Sequence, residues 1–339
     1  MGFKIALNFE DGVTRFINAM QGESVADAAY RGGINIPLDC RDGACGTCKS
    51  FCEAGEYDGG IYIEDALTDE EATEGYCLPC QMRPRTDCVL RIPASSAMCN
   101  TKASDLTAEV IAVSRLSRST IDFSVKLAHG EFSFLPGQYL NIAVPRMRAT
   151  RAYSFSSPSG TAVASFLIRN LPGGTMSGYL TGDARPGDQL VLKGPFGSFY
   201  LRNLTRPVVM LAGGTGLAPF LSMLDGLTKT GSSQPVHLIY GVNIDEDLVK
   251  IPTLEAFAAT IPSFTFTTCV ADAGSRHERR GYVTNYLTPA HLNAGDVDVY
   301  LCGPPAMVDA VRVHFRQAKV TPRNFYCEKF APSAEEIAS

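Results

Sequence analysis

No stretch of this 339-residue chain approaches the roughly 18 consecutive apolar residues that a bilayer crossing needs. Its first residues, MGFKIALNFEDG, alternate like a strand and lack the apolar core and small-residue cleavage site of a secretory signal. Ala6 stands where an N-myristoylation signal requires Ser or Thr. The expectation is a soluble cytoplasmic protein with no membrane partner. Net charge is −5, so the chain has no electrostatic footprint for nucleic acid. Internal repeats and low-complexity runs are absent. Hydrophobic residues make up 45% and charged residues 19%, a globular composition that excludes a disordered chain.

Charge and cysteine are unevenly spread. Residues 1–100 carry 8 basic and 16 acidic side chains, whereas residues 101–205 carry 11 and 6. Eight of the 11 cysteines lie in the first hundred residues. An odd, clustered set without a signal peptide argues against a disulfide framework and for metal binding.

Three parts follow, with expected boundaries at 1–95, a small polar linker at 96–104, then 105–205 and 206–339. The first opens on two strand-like runs, Phe3–Phe9 and Val13–Ala19, around the turn Glu10-Asp11-Gly12. Ser24 then begins a short helix that Gly32-Gly33 closes. The second part strings short β-prone runs between Gly/Pro turns, which predicts a closed antiparallel barrel. The third alternates strands, such as Val208–Ala212 and Val297–Cys302, with helices such as Ala218–Leu227 and Pro305–Ala318. That rhythm predicts a doubly wound parallel α/β sheet.

The first part contains Cys40-x4-Cys45-x2-Cys48, with Cys80 after 31 more residues. This is plant-type 2Fe–2S spacing. Four thiolates must converge on two irons, and Gly43, Ala44 and Gly46 let the backbone wrap closely around them. The bland alternative is zinc held by Cys45-x2-Cys48 and Cys77-x2-Cys80. Those pairs are 28 residues apart, against the roughly 15–20 of zinc ribbons, and zinc leaves Cys40 unexplained. Spacing alone lets Cys77 replace Cys80. We expect Cys77, Cys52 and Cys88 to be small buried thiols. The loop CRDGACGTCKS and the later CLPCQ resemble the plant-type ferredoxin domain, whose last ligand precedes a Gln. That resemblance implies Cys80 as the fourth ligand, beside Cys40, Cys45 and Cys48, in a β-grasp-like domain.

Arg151-Ala152-Tyr153-Ser154 lies between two barrel runs. Arg offers a fork of donors to phosphate, Tyr a flat face to a ring, and Ser a hydroxyl to a ring nitrogen. Gly173-Gly174-Thr175-Met176-Ser177 is a Gly-rich turn entering a helix, suited to a pyrophosphate. With Gly194-Pro195-Phe196-Gly197-Ser198-Phe199, these segments resemble the ferredoxin–NADP reductase superfamily. The resemblance implies a Greek-key barrel that binds FAD. Arg151 would contact phosphate, Tyr153 would pack on the isoalloxazine and Ser154 would approach N5.

Val208–Ala212 runs into Gly213-Gly214-Thr215-Gly216-Leu217-Ala218-Pro219. This is neither GxGxxG nor a Walker loop, yet glycines before a helix N-terminus suit phosphate. The loop matches the superfamily's NAD(P) signature. Cys302-Gly303-Pro304 matches the other, which implies Cys302 near the nicotinamide. After Tyr240-Gly241 come Asp245, Glu246 and Asp247, where a 2′-phosphate would want a base. The segment Val270-Ala271-Asp272 also lacks one. NADH is therefore expected, with Asp245 on the cofactor side and Arg276, Arg279 and Arg280 in a solvated loop. Glu328-Lys329-Phe330 resembles the family's terminal acid-x-aromatic, which implies Phe330 over the flavin and a catalytic Glu328.

The order of modules is similar to that in the reductase components of benzoate, toluate and anthranilate dioxygenases. The resemblance implies electron flow from NADH through FAD and the 2Fe–2S cluster to a Rieske-type terminal oxygenase. The catalytic set would be Ser154, Cys302 and Glu328. Reductases of diiron monooxygenases of the phenol and methane type share this order and remain the alternative. From another class, so does a zinc-stabilised free flavin reductase. The acidic run Glu64, Asp65, Asp69, Glu70, Glu71 and Glu74 is a candidate docking face or simply a solvated helix.

Overall fold

The computed structural model describes residues 2–38, 43, 46–64, 66–100, 104–145, 147, 150–197 and 199–329. The expectations for Cys40, Cys45, Asp65, Ser198 and Phe330 fall outside the described residues. The chain divides into two compact units, Met1–Ala103 and Ser104–Ser339.

In the first unit, strands β1 (Gly2–Phe9) and β2 (Thr14–Met20) form the expected hairpin. Helix α1 (Val25–Arg31) starts where the Ser24 Oγ accepts the Asp27 N–H at 3.1 Å. It buries Val25, Ala26, Ala28 and Ala29. Then come β3 (Ser50–Ala54), β4 (Tyr57–Asp58), α2 (Asp69–Glu74), β5 (Tyr76–Cys77), β6 (Arg83–Pro84) and β7 (Cys88–Ile92). The main sheet runs β2-β1-β7-β3-β5, with β1 and β7 parallel. Alternation in β1 sends Ile5, Leu7 and Phe9 into the core.

The stretch expected to be a linker is tied to this unit as far as Cys99. The Ser96 N–H and Oγ both donate to Asp11 Oδ2 at 2.8 Å. The Asn35 N–H donates to the Cys99 carbonyl at 2.7 Å, and Cys99 is buried. Small side chains here fill the core, although their composition reads as loop.

The second unit begins with β8 (Ser104–Arg115), β9 (Thr120–Leu127), β10 (Tyr139–Ala143), β11 (Thr150–Ser154), β12 (Val163–Arg169), the short helix α3 (Thr175–Gly178) and β13 (Gln189–Phe196). Their order is β11-β10-β13-β8-β9-β12. A bridge between Phe155 and Phe166 joins the two ends, so the strands close around Phe123, Phe155 and Phe166. This is the antiparallel barrel.

The chain then alternates: β14 (Val208–Gly213), α4 (Ala218–Thr230), β15 (Val236–Val242), α5 (Ile251–Thr260), β16 (Phe264–Val270), short α6 (Val283–Tyr286) and α7 (Pro289–Leu292), β17 (Asp298–Gly303), α8 (Pro305–Ala318) and β18 (Asn324–Lys329). The sheet is wholly parallel, in the order β16-β15-β14-β17-β18. Strand β14 is almost continuously apolar because helices cover both faces. Strand β18 has no such signature, since NFYCEK is neither an apolar run nor a clean alternation. Pairing with β17 makes it a strand, helped by Asn324 Nδ2 donating to Asp298 Oδ1 at 2.7 Å. Leu167 of β12 packs into the buried cluster of β14 and α4, so barrel and sheet share an apolar contact. Among the described residues, no helix is long and apolar enough to cross a membrane.

Candidate functional site

Parallel strands end together, so the carboxyl edge of this sheet collects the loops that follow β14, β15, β16 and β17, with the last residues of β18. Glu328 stands opposite Cys302 in the β17–β18 register. It is 7% exposed. Its Oε2 accepts the Ser154 hydroxyl at 2.7 Å and faces the Cys302 thiol at 3.7 Å. Residues from the barrel, from β17 and from β18 thus meet at one oxygen. Cys302 is fully buried; burial first, and the facing carboxylate second, push its thiol well above the usual range. It is held as a neutral thiol.

Ser154 is the last residue of β11 and is buried, while the half-buried Tyr153 before it packs against the barrel core. Arg151 lies on the same strand, where its Nη1 donates to the Thr150 carbonyl. Ala152 pairs with Asn141 in β10. The Gly-rich turn after β12 has Gly173 at φ +72° with open space at its Cβ position. Gly174 begins α3, and no side chain caps that helix. Ser177 is bound differently from a simple ligand hydroxyl. Its Oγ accepts the Leu171 N–H at 2.9 Å and donates to the Arg169 carbonyl at 3.2 Å, which shapes the turn. Met176 turns its side chain into the barrel core, leaving its backbone at the helix start beside Thr175.

The loop after β14 is a tight helical turn, Gly214–Leu217, leading into α4 with Pro219 in the first turn. Gly216 explains its own identity: a Cβ there would lie 2.2 Å from the Cys302 carbonyl oxygen. The two signatures therefore press backbone on backbone. A Cβ on Gly213 would likewise come within 2.6 Å of Met307 Sδ and 3.0 Å of Pro304 Cδ, and one on Gly303 within 2.8 Å of the same sulfur. Asp245 accepts the Ser275 hydroxyl at 2.5 Å and the Arg276 N–H at 3.3 Å. These bonds, the hydroxyl first, hold its carboxyl below the usual carboxylate range. Arg280 is exposed, as a solvated loop requires, and borders an open hollow with Ala271, Ala273 and Gly281.

In the first unit, β3 and β5 pair Ser50 with Cys77. Antiparallel register then carries Cys48 and Cys80 to the same end of the pair, and both are buried. Gly43 has φ +80°, and a Cβ there would sit 2.3 Å from the Ile61 carbonyl oxygen. Gly43 thus lies close against Ile61 and Tyr62, as Gly46 does against Ala66. Cys77 lies within strand β5, whereas Cys80 lies in the following turn.

Three family models match. The 2Fe–2S iron–sulfur cluster binding domain matches residues 8–85, the oxidoreductase FAD-binding domain 107–200 and the oxidoreductase NAD-binding domain 210–313. The toluate 1,2-dioxygenase electron transfer component of Pseudomonas putida is 56% identical, covering 98% of this chain and 100% of that one. The chain belongs to the family of aromatic-ring dioxygenase electron transfer components. A 2-halobenzoate 1,2-dioxygenase electron transfer component from Burkholderia cepacia is 52% identical, covering 97% of this chain and 98% of that one. The crystal structure of an Amycolatopsis cytochrome P450 reductase superposes with a TM-score of 0.74 at 32% identity, covering 97% of this chain and all of that one.

As such an electron transfer component, the chain has a 2Fe–2S domain, an FAD-binding domain and an NAD-binding domain, and it is an oxidoreductase. The described residues fit these groups. Gly173 and Gly214 have left-handed backbone with open space at their Cβ positions, room that a phosphate chain can use. Cys48 and Cys80 supply two buried sulfur donors at one end of a sheet. Among the described residues, no three potential ligands gather, because Cys40 and Cys45 lie outside them.

Proposed function

We propose that the chain draws electrons from NADH and delivers them singly, through FAD and a 2Fe–2S cluster, to a Rieske-type terminal oxygenase that acts on benzoate or a close aromatic acid. FAD, when bound, converts a two-electron hydride donor into the one-electron steps that an iron–sulfur cluster accepts. The observation that carries this reading is the single Glu328 oxygen shared by Ser154 and Cys302.

Each residue has a role in it. Arg151 and the backbone of Gly173, Gly174, Thr175, Met176 and Ser177 hold the flavin phosphates. Tyr153 lies flat against the ring system. Ser154 donates its hydroxyl hydrogen bond to the Glu328 carboxylate, which would take up the proton that the reduced flavin releases as its electrons leave, without admitting water. Gly213, Gly214, Thr215 and Gly216 bind the NADH phosphates, while Cys302, Gly303 and Pro304 form the floor under the nicotinamide. Acidic Asp245, already saturated by Ser275 and Arg276, disfavours a 2′-phosphate. Phe330 would cover the flavin. Cys40, Cys45, Cys48 and Cys80 hold the cluster.

The oxygenase docks on the acidic face of α2. Asp69, Glu70 and Glu74 are exposed there, and Glu64 precedes them. Glu71 differs, because its carboxylate pairs with Lys49 at 2.5 Å and closes the capping box with Thr68. Among the described residues of the run, the exposed charge therefore lies on Glu64, Asp69, Glu70 and Glu74.

Anaerobic addition of NADH to the purified protein tests the whole reading. About two irons and one FAD per chain, flavin bleaching and a reduced-cluster EPR signal support it. One zinc and no iron, in protein purified with its metal intact, would leave a simple flavin reductase.

A further inference from the structure

The turn that carries Asp245 also carries a second carboxylate, which makes different contacts. Asp247 is 8% exposed and does not face the cofactor loop. Its Oδ1 accepts two hydroxyls from the barrel, Ser117 at 2.6 Å and Ser119 at 2.5 Å. Both serines sit in the tight turn between β8 and β9. From the sheet side, the buried Tyr240 phenol donates to the Asp247 carbonyl at 3.0 Å and fixes the backbone.

The serine turn is itself braced. Asn170, at the end of β12, donates its N–H to the Ser119 carbonyl at 2.7 Å and its Nδ2 to the Arg118 carbonyl at 3.0 Å. Asn170 is followed directly by Leu171-Pro172-Gly173-Gly174, the segment proposed above for the flavin phosphates. A short path of hydrogen bonds thus runs from the NAD side to the FAD side: Asp247, Ser119, Asn170, then the Gly-rich turn. Neighbouring ion pairs follow the same seam, Lys250 with Asp122 at 2.5 Å and the more exposed Arg118 with Glu246 at 3.8 Å. The exposed pair adds little.

Position explains why this matters. The barrel grips the carboxyl edge of the sheet at Glu328, next to the last residue of β18. Asp247 grips it again beyond the end of β15, on the other side of the central glycine loop. Three strand spacings separate β15 from β18, about 14 Å. Between them lies the Leu167 contact, which is apolar and non-directional. A directional anchor at one corner beside such a contact leaves rotation free. A second anchor far from it, Asp247 with the Lys250–Asp122 pair next to it, fixes the angle.

We propose that Asp247 is a positioning residue for hydride transfer. Its carboxylate locks barrel and sheet at the angle that aligns nicotinamide with flavin. The inference rests on the NADH–FAD reading above. A misalignment of about 1 Å is enough to cost much of the rate, without changing how tightly either dinucleotide is held.

The test uses the full, FAD-loaded chain and anaerobic stopped-flow bleaching of the flavin by NADH. Asp247→Ala and the double change Ser117→Ala with Ser119→Ala should each slow bleaching at saturating NADH by about tenfold. The half-saturating NADH concentration and the FAD content should stay as in the parent. Asp247→Asn keeps an Oδ1 acceptor and should retain most of the rate. The serine pair keeps the test open if Asp247→Ala folds poorly. Unchanged bleaching in the serine double variant, with only a lower melting temperature, makes the contact merely structural and overturns the proposal. So does an Asp247→Asn variant as slow as Asp247→Ala. If NADH fails to bleach the parent protein, the functional reading itself fails and takes this inference with it.

Discussion

Glu328 gathers side chains from barrel and sheet at one atom, because Ser154 and Cys302 both turn to its Oε2. Removing its charge while keeping its shape is the direct probe. Glu328→Gln can still accept the Ser154 hydroxyl but no longer holds a proton acceptor of the same strength. Hydride from NADH needs no proton, so bleaching should run near the parent rate, whereas reoxidation of the reduced flavin, which releases the proton, should slow by about 10²-fold, the usual scale of a lost acid–base group, with FAD content unchanged. Stopped-flow absorbance separates the two phases, and an unaltered reoxidation rate would remove Glu328 from the proton path. Cys302 beside it is poised to pack and not to attack, since burial and the facing carboxylate both oppose its thiolate.

Helix α2 and strand β15 each invite a test of a whole element. The capping box of Thr68 and Glu71 holds α2 in place, and none of its residues is buried. Its outer charges can therefore be changed cheaply. Neutralising Asp69, Glu70 and Glu74 to their amides should slow electron delivery to the oxygenase several-fold at low salt and flatten its salt dependence. NADH-driven ferricyanide reduction should be unaffected. Equal rates and equal salt slopes in variant and parent would abolish the docking role of this face. On β15, His237 contacts the Thr265 and Thr267 hydroxyls and stacks on His291, with ring centroids 4.3 Å apart. Burial first, then His291, lowers its pKa to about 4. The folded state thus binds fewer protons than the unfolded chain between about 4 and 6.5, so stability rises with pH across that window and falls on acidification. His237→Gln should flatten that dependence, read from melting temperatures at several pH values. A variant curve parallel to that of the parent would contradict this assignment.

The division at Ala103 and Ser104 separates the one-electron carrier from the two dinucleotide domains, and each unit has its own buried core. A chain beginning at Ser104 should keep FAD and reduce ferricyanide with NADH at close to the parent rate. It should lose cytochrome c reduction and all turnover with the oxygenase, because the cluster is gone. Retained oxygenase turnover would mean that electrons leave directly from the flavin side.

Much of this was legible along the chain, for a physical reason. A phosphate chain or a metal cluster is held by backbone that approaches closely, and close approach demands small residues at fixed local spacing. Hence Gly213-Gly214-Thr215-Gly216, Cys302-Gly303-Pro304 and Cys40-x4-Cys45-x2-Cys48 can be read in one pass, and the strands of the parallel sheet appear as buried apolar runs. Strand β18 could not be read that way, because its pairing with β17 and not its own pattern makes it a strand. The fastening of residues 96–99 to Asp11 and Asn35 was hidden for the same reason. Ser177 could be read only as part of a phosphate turn; that its hydroxyl shapes the turn, through the Leu171 N–H and the Arg169 carbonyl, appears only in the fold. Asp247 looked like one more acid against a 2′-phosphate until Ser117, 130 residues earlier, came within 2.6 Å. Local spacing records what a backbone must do next to a cofactor. Which side chains meet across a hundred residues depends on how barrel and sheet pack, and that exists only once the chain has folded.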